Sequence, residues 1–146
     1  AADGSRLRRR VLGACTALAT GGLLGIAAWL RPASAGIGTH EQLMLPECGW
    51  ILTMDLPCPT CGMTTAFAHA ADGALISSLF TQPLGGALAI GTAATCIAAT
   101  CTAATGTGVF VRLVERWWSA RLAWVAGAAV LGAWLFKMAA HRGVLG

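Results

Sequence analysis

Residues 11–30 read VLGACTALATGGLLGIAAWL, a run of twenty residues without a charged side chain. A helix of that length spans about 30 Å, which is the thickness of the hydrocarbon core of a bilayer. The run is preceded by four basic residues, namely Arg6, Arg8, Arg9 and Arg10. Basic residues accumulate on the cytoplasmic flank of a span. The segment therefore predicts a transmembrane helix with its N-terminus in the cytoplasm, and the residues after Leu30 should emerge on the outer side.

A cleavable signal peptide is a second interpretation of residues 1–35. A basic start, an apolar run and the small residues Ala33-Ser34-Ala35 form the pattern of such a peptide. The apolar run is longer than the usual core of a signal peptide, which favours a retained anchor. Both interpretations place the following loop on the outer side.

The composition of the chain agrees with a membrane environment. Of its 146 residues, 56% are hydrophobic and 11% are charged, whereas about 25% are charged in soluble domains. Six tryptophans lie mostly near the ends of apolar runs, as in an interfacial aromatic belt. The net charge of +4 comes from cations beside these runs and not from a basic stripe, which argues against nucleic-acid binding. We therefore expect one all-α integral membrane domain that contacts the lipid bilayer.

Two further spans are predicted at residues 83–104 and 122–140. Between them, residues 109–121 read VFVRLVERWWSAR and predict an amphipathic interfacial helix on the cytoplasmic side. Lys137 lies near the end of the third span, where its side chain can snorkel to water. The predicted topology has three spans, an inner N-terminus and an outer C-terminus.

The second span is rich in small residues and cysteines. Ala87, Gly91 and Thr95 recur every four positions, a pattern that lets another helix approach closely, either in this chain, in a second copy or in a partner protein. Cys96 and Cys101 lie on different faces of the same helix. We interpret them, together with Cys15, as small buried hydrophobic residues and not as ligands.

The loop at residues 36–65 carries most of the chemistry. Thr39–Thr65 reads THEQLMLPECGWILTMDLPCPTCGMTT and contains one histidine and three cysteines, namely His40, Cys48, Cys58 and Cys61. Three thiolates and an imidazole form the tetrahedral Cys3His set that structural zinc prefers. The surrounding segment, residues 31–82, has four acidic residues and a single arginine, as expected of a translocated loop.

The CxxC pair is predicted to lie in a turn before a short helix. The prolines of Pro57-Cys58-Pro59-Thr60-Cys61 restrict the backbone, and residues from Met63 onward predict a helix that breaks near Asp72-Gly73. Thr60 or Thr64 is the expected N-cap. The N–H groups and dipole of such a helix stabilise thiolate, the form that binds metal and attacks disulfides.

Three interpretations of the thiols remain open at this point. The first is a structural metal site, and the second is a redox pair with Cys58 as nucleophile, Cys61 as its partner and Cys48 as a relay. The third is a plain disulfide or unoccupied thiols. No βαβ pattern supports a thioredoxin fold, and three thiols suit a metal better than they suit disulfides. We expect a non-catalytic membrane subunit or accessory protein, with a membrane thiol–disulfide oxidoreductase as the alternative.

The segment PCPTCGMTTAFAHAADG, followed by an apolar run after Gln82-Pro83, resembles a bacterial family of small membrane proteins catalogued as domain of unknown function 2752. Its pattern is an upstream cysteine, CPxCGxTR, a short helix with a late glycine and Asn-Pro before a span. The matching positions are Cys48, Cys58, Pro59, Cys61, Gly62 and Thr64. The GTHEQL and CGMTT segments are similar to the variant in planctomycete members.

This chain departs from the family pattern at two positions. Thr65 stands where many members have arginine, and Gln82 stands where many have asparagine. The missing arginine weakens the idea that the turn binds an anion. The resemblance implies a bacterial membrane protein with a thiol site, but it implies no reaction. Together with the predicted topology, it places the protein in the inner membrane with the thiol loop on the outer side.

Overall fold

The computed structural model describes residues 2–107 and 120–142, which form helices and connecting turns without a strand. The helices are α1 (Ala2–Trp29), a 3₁₀ helix (Thr39–Leu43), α2 (Gly49–Met54), α3 (Met63–Ala71), α4 (Leu75–Thr81), α5 (Pro83–Thr105) and α6 (Ala120–His141). These elements confirm the all-α class. Of the predicted interfacial helix, residues 109–119 lie outside the described residues, and residues 120 and 121 belong to α6.

Within the described part of the chain, two helices are long and apolar enough to cross a membrane. They are Gly4–Trp29 within α1 and Pro83–Thr105, which is the whole of α5. The apolar part of α6, Trp124–Ala139, is shorter than these two. The first two predicted spans therefore have helices of the required length, while the third span remains a prediction.

Helices α1 and α5 pack against each other in antiparallel orientation. A Cβ atom added at Gly13 would lie 2.8 Å from Ala103 N and 2.9 Å from Ala99 O, so the two backbones touch at this glycine. Further along, Cys96 Sγ lies 3.8 Å from Ala17 O. Gly91, which belongs to the predicted small-residue face, is not among these contacts, because it is exposed with open space around it. Gly91 therefore takes no part in the α1–α5 contact, and the packing of this face against a second copy or a partner protein remains a prediction.

The same helix pair exposes two of the three cysteines that were expected to be buried. Cys15 and Cys101 are exposed, and Cys96 is half-buried against α1. The expectation of burial is therefore wrong for Cys15 and Cys101.

Arginines of α1 bind the C-terminal end of α5. Arg10 donates from Nε to Ala103 O (2.9 Å) and from its terminal nitrogen to Ala104 O (3.1 Å), and Arg6 reaches Thr105 O (3.5 Å). The last carbonyl groups of a helix have no partner within the helix and carry a partial negative charge. The arginines that predicted the cytoplasmic flank therefore also hold α1 and α5 together.

Helices α3 and α4 form a hairpin at the opposite end of the pair. Gly73, with φ +80°, separates them, which confirms the predicted break. Ser78 donates a buried 2.7 Å hydrogen bond to Ala66 O, and a Cβ added at Gly85 would lie 3.0 Å from Ala66 Cβ. The hairpin is thus fixed against the start of α5, and it carries the CxxC turn at its entrance.

Candidate metal centre

The CxxC turn is a hydrogen-bonded turn that leads directly into α3. Cys61 N donates to Cys58 O (3.0 Å), and Met63 N donates to Thr60 O (3.0 Å). Gly62 has φ +84° and is the N-cap of α3, with no side-chain cap bond. The expectation of a threonine N-cap is therefore wrong, because the chain enters α3 through a left-handed residue, which favours glycine.

Three cysteine sulfurs from two separate segments meet at this turn. Cys58 Sγ and Cys61 Sγ lie 3.3 Å apart, and Cys58 N also donates to Cys61 Sγ at 3.3 Å. Cys48, the N-cap of α2, brings its sulfur to within 4.8 Å of both. With metal–sulfur bonds of about 2.3 Å, the sulfurs of a tetrahedral site are about 3.8 Å apart. The three thiols therefore need only small movements to bind one zinc-sized ion.

The predicted fourth ligand, His40, lies near the thiols without joining them. It lines the same cavity of about 640 Å³ as the three cysteines, together with Glu41 and Glu47. Its Nε2 is hydrogen-bonded to Pro46 O at 3.1 Å, and it is not among the residues whose ligand atoms come within 4.8 Å of one another. The structure thus brings together three of the four predicted ligands, and the fourth, His40, lies in the same cavity without joining them.

The surroundings of Cys48 and Cys61 shift the pKa values of these two thiols in opposite directions. Burial opposes ionisation of Cys48, but hydrogen bonds from Cys61, from the backbone N–H groups of Ile51 and Trp50, and from Cys58 outweigh it and lower the pKa of Cys48 to about 7. Burial is the largest cause that raises the pKa of Cys61 to about 12, followed by its thiol contacts with Cys58 and Cys48. Of these two thiols, Cys48 is therefore the one that ionises more readily near neutral pH, and Cys61 is the one that burial keeps protonated.

Buried polar side chains hold the backbone around the turn. Gln82 is fully buried and donates from Nε2 to Pro59 O at 2.9 Å. Thr39 and Thr65 are also fully buried and share a 2.8 Å hydrogen bond, and Ala33 N donates to Thr39 Oγ1 at 3.0 Å. Thr65, a departure from the family pattern, thus ties α3 to the 3₁₀ helix. These contacts join the loop before the cysteines to the helices after them.

Helix α6 also contacts the loop, which the sequence pattern did not predict. Trp134 donates from Nε1 to Pro57 O at 3.0 Å and meets Trp50 edge-to-face, with ring centroids 6.3 Å apart. Lys137 donates from Nζ to Gly36 O (3.2 Å) and Thr81 O (3.1 Å). Lys137 therefore ends on protein carbonyls, contrary to the expectation that it snorkels to water. A lysine near the end of an apolar helix was the one signal for this contact.

These features define a class: a small helical protein with two helices suited to a membrane and a three-cysteine cluster at one end of the pair. Residues 48–96 match the family model described as Protein of unknown function (DUF2752), which confirms the resemblance seen in the motif. The match begins at the first cysteine of the cluster and ends within α5. No curated protein and no solved structure matches the chain.

Proposed function

We propose that this protein is a non-catalytic membrane subunit or accessory protein that binds one thiophilic divalent ion, such as zinc, through Cys48, Cys58 and Cys61. The observation that carries the proposal is the meeting of the three sulfurs within 4.8 Å. They come from the start of α2 and from the turn before α3, so a bound ion would cross-link two segments of the loop. Such a cross-link stabilises a small loop that has little core of its own.

His40 is the proposed fourth ligand. It already lines the cavity next to the cysteines. To bind the ion, its Nε2 would give up the hydrogen bond with Pro46 O. A Cys3His set with four protein ligands is closed to substrate, which favours a structural role. The rigid loop is then the surface that a partner protein recognises.

The proposed location is the inner membrane of a bacterium, with three spans, the arginines of α1 in the cytoplasm and the metal centre on the outer side. The arginine end and the thiol end of the α1–α5 pair are at opposite ends of the helices, as this topology requires. The exposed Ala87 and Gly91 of α5 offer a face of small residues to a partner helix or a second copy of the chain.

Metal content and thiol count of the detergent-purified protein, never exposed to a chelator, test the proposal. We expect one zinc ion per chain by elemental analysis and a zinc content that falls to background in Cys58→Ser. Cys101→Ser is the matched control, because this thiol is exposed and remote in sequence from the cluster. His40→Ala should retain the site with weaker affinity if three thiolates suffice, and lose it if the imidazole is essential.

A different result would contradict the metal site. Absence of metal, with two thiols missing from the alkylation count, would indicate a Cys58–Cys61 disulfide and support the oxidoreductase alternative. A zinc content in Cys58→Ser equal to that of the wild type would place any bound ion elsewhere in the chain.

A further inference from the structure

Lys137 brings a positive charge from α6 to the edge of the thiol cluster. Its Nζ lies between Gly36 O and Thr81 O, and a Cβ added at Gly62 would lie 2.9 Å from it. Gly62 directly follows Cys61, so the ammonium group stands against the backbone of the CxxC turn. The position depends on a glycine, because any side chain at residue 62 would meet both Lys137 Nζ and Gly36 O.

The two carbonyl partners satisfy the hydrogen bonds of the ammonium group without balancing its charge. Lys137 is half-buried, and within residues 2–107 and 120–142 no carboxylate forms an ion pair with it. Removing a cation from water is costly unless an opposite charge lies nearby. An anion close to the ammonium group of Lys137 would therefore stabilise it. The anionic groups that the CxxC turn can supply are the cysteine thiolates.

The proposed metal centre is such an anion. Three thiolates contribute three negative charges, a divalent ion contributes two positive ones and a neutral imidazole contributes none, so the loaded site carries one net negative charge. We propose that Lys137 is the counter-cation of the loaded centre and a positioning residue for its turn. This inference rests on the proposed function, since it assigns Lys137 a role in the same site.

Zinc affinity, measured by competition with a chromophoric chelator in detergent, tests this role. Residues that support metal ligands from outside the coordination sphere change affinity by about 10- to 100-fold when they are replaced. We expect a loss in that range for Lys137→Met, which removes charge and hydrogen bonds. Lys137→Gln, which keeps an N–H donor without the charge, should also lose affinity, whereas Lys137→Arg should stay within a few-fold of the wild type.

Trp134→Phe is the matched control for the docking of α6. It removes the hydrogen bond to Pro57 O but changes no charge, so its zinc affinity should stay within a few-fold of the wild type. A loss in Trp134→Phe equal to that in Lys137→Met would show that docking of the helix, and not charge, supports the site. That result would overturn the inference.

Thermal unfolding with and without zinc separates charge compensation from simple carbonyl binding. As a counter-cation, Lys137 should increase the stabilisation that zinc provides, so the rise in Tm on adding zinc should be smaller in Lys137→Gln than in the wild type. An equal rise, with unchanged affinity, would leave Lys137 as a partner of carbonyl groups only and would refute the inference. If the wild-type protein binds no zinc, the proposed function fails first, which is a separate outcome.

Discussion

The hydroxyl oxygens of Thr39 and Thr65 lie 2.8 Å apart, and both side chains are fully buried. Thr39 begins the 3₁₀ helix before the cysteines, and Thr65 lies in the first turn of α3 after them. The pair therefore closes the loop that carries the thiols without any metal. This contact gives the metal-free loop a defined shape in which the sulfurs can meet.

Replacing either threonine should destabilise the protein, but not equally. Thr65→Val removes one hydrogen bond and should lower the free energy of unfolding by about 1 kcal/mol. Thr39→Val also leaves the half-buried Ala33 N–H without its acceptor, and it should cost about 1–3 kcal/mol. Denaturant unfolding in detergent measures both, with Thr100→Val as the control, because that exposed hydroxyl bonds only within its own helix. Additive losses in the double variant would contradict a direct interaction.

Substitution of Gly13 by alanine should weaken the packing of α1 on α5. The new methyl group would lie under 3.0 Å from backbone atoms of Ala99 and Ala103, which cannot move as a side chain can. Overpacking of this kind costs about 1–3 kcal/mol. Gly22→Ala is the matched control on the same helix, since its methyl group would enter open space. Equal melting temperatures for the two variants, measured by circular dichroism, would argue against the close approach at Gly13.

Neutralising Arg10 should loosen the arginine end of the helix pair more than neutralising Arg8. Arg10→Gln loses the hydrogen bonds to Ala103 O and Ala104 O. A hydrogen bond with a charged donor contributes up to about 3 kcal/mol to stability. Arg8→Gln removes the same charge from an exposed position on the same helix. Hydrogen exchange at the last turn of α5 should therefore increase in Arg10→Gln. The same protection in both variants would show that charge alone, and not the contact, matters.

Alkylation of the metal-free protein should depend on pH differently at the two perturbed thiols. Cys48, with a pKa of about 7, should react with iodoacetamide at a rate that reaches half its maximum near neutral pH. Cys61, with a pKa of about 12, should stay unreactive through this range. Peptide mass spectrometry of the alkylated protein assigns each rate to its cysteine. Faster reaction of Cys61 than of Cys48 at pH 8 would contradict the assignment.

The same shifts determine how stability varies with pH. The folded-state pKa of Cys48 lies below the ordinary thiol value of 9.0, so its contribution to stability is fully present above pH 9.0 and is lost as pH falls through about 7. The folded-state pKa of Cys61 lies above 9.0, so its contribution is present below pH 9.0 and is lost as pH rises toward about 12. Together these two thiols should place the maximum stability of the metal-free protein near pH 9, as thermal unfolding across pH would show.

Local signals predicted the ends of α5 well because single residues fix them, whereas α1 begins at Ala2 and not at the predicted Val11. Pro83 begins α5 and the left-handed Gly106 ends it, so the predicted range 83–104 differs from the observed helix by one residue. Gly73 likewise ends the hairpin helix where the pattern predicted a break. The threonine N-cap was wrong because Gly62 adopts a backbone conformation that a sequence motif does not reveal.

The long-range contacts could not be predicted, because they depend on how the helices are rotated and where they end in space. The motif singled out the three cysteines, and the structure brings them together, but it pairs His40 with Pro46 O. Lys137 is far along the chain from the thiols, and its hydropathy pattern predicts only a helix end. The small-residue stripe of α5 did not single out Gly13, the residue at which the backbones of α1 and α5 come into contact.

The contacts of Trp134 and Lys137 with the loop determine when the loop can complete its folding during synthesis. The cysteines leave the ribosome well before residue 137 is synthesised, so for that interval the thiol loop exists without the helix that supports Pro57 and Gly36. Completion of the loop is therefore a late event, which follows synthesis and docking of α6. Agents that capture nascent thiols have their best opportunity at Cys61 before that moment, because this thiol is buried in the finished protein.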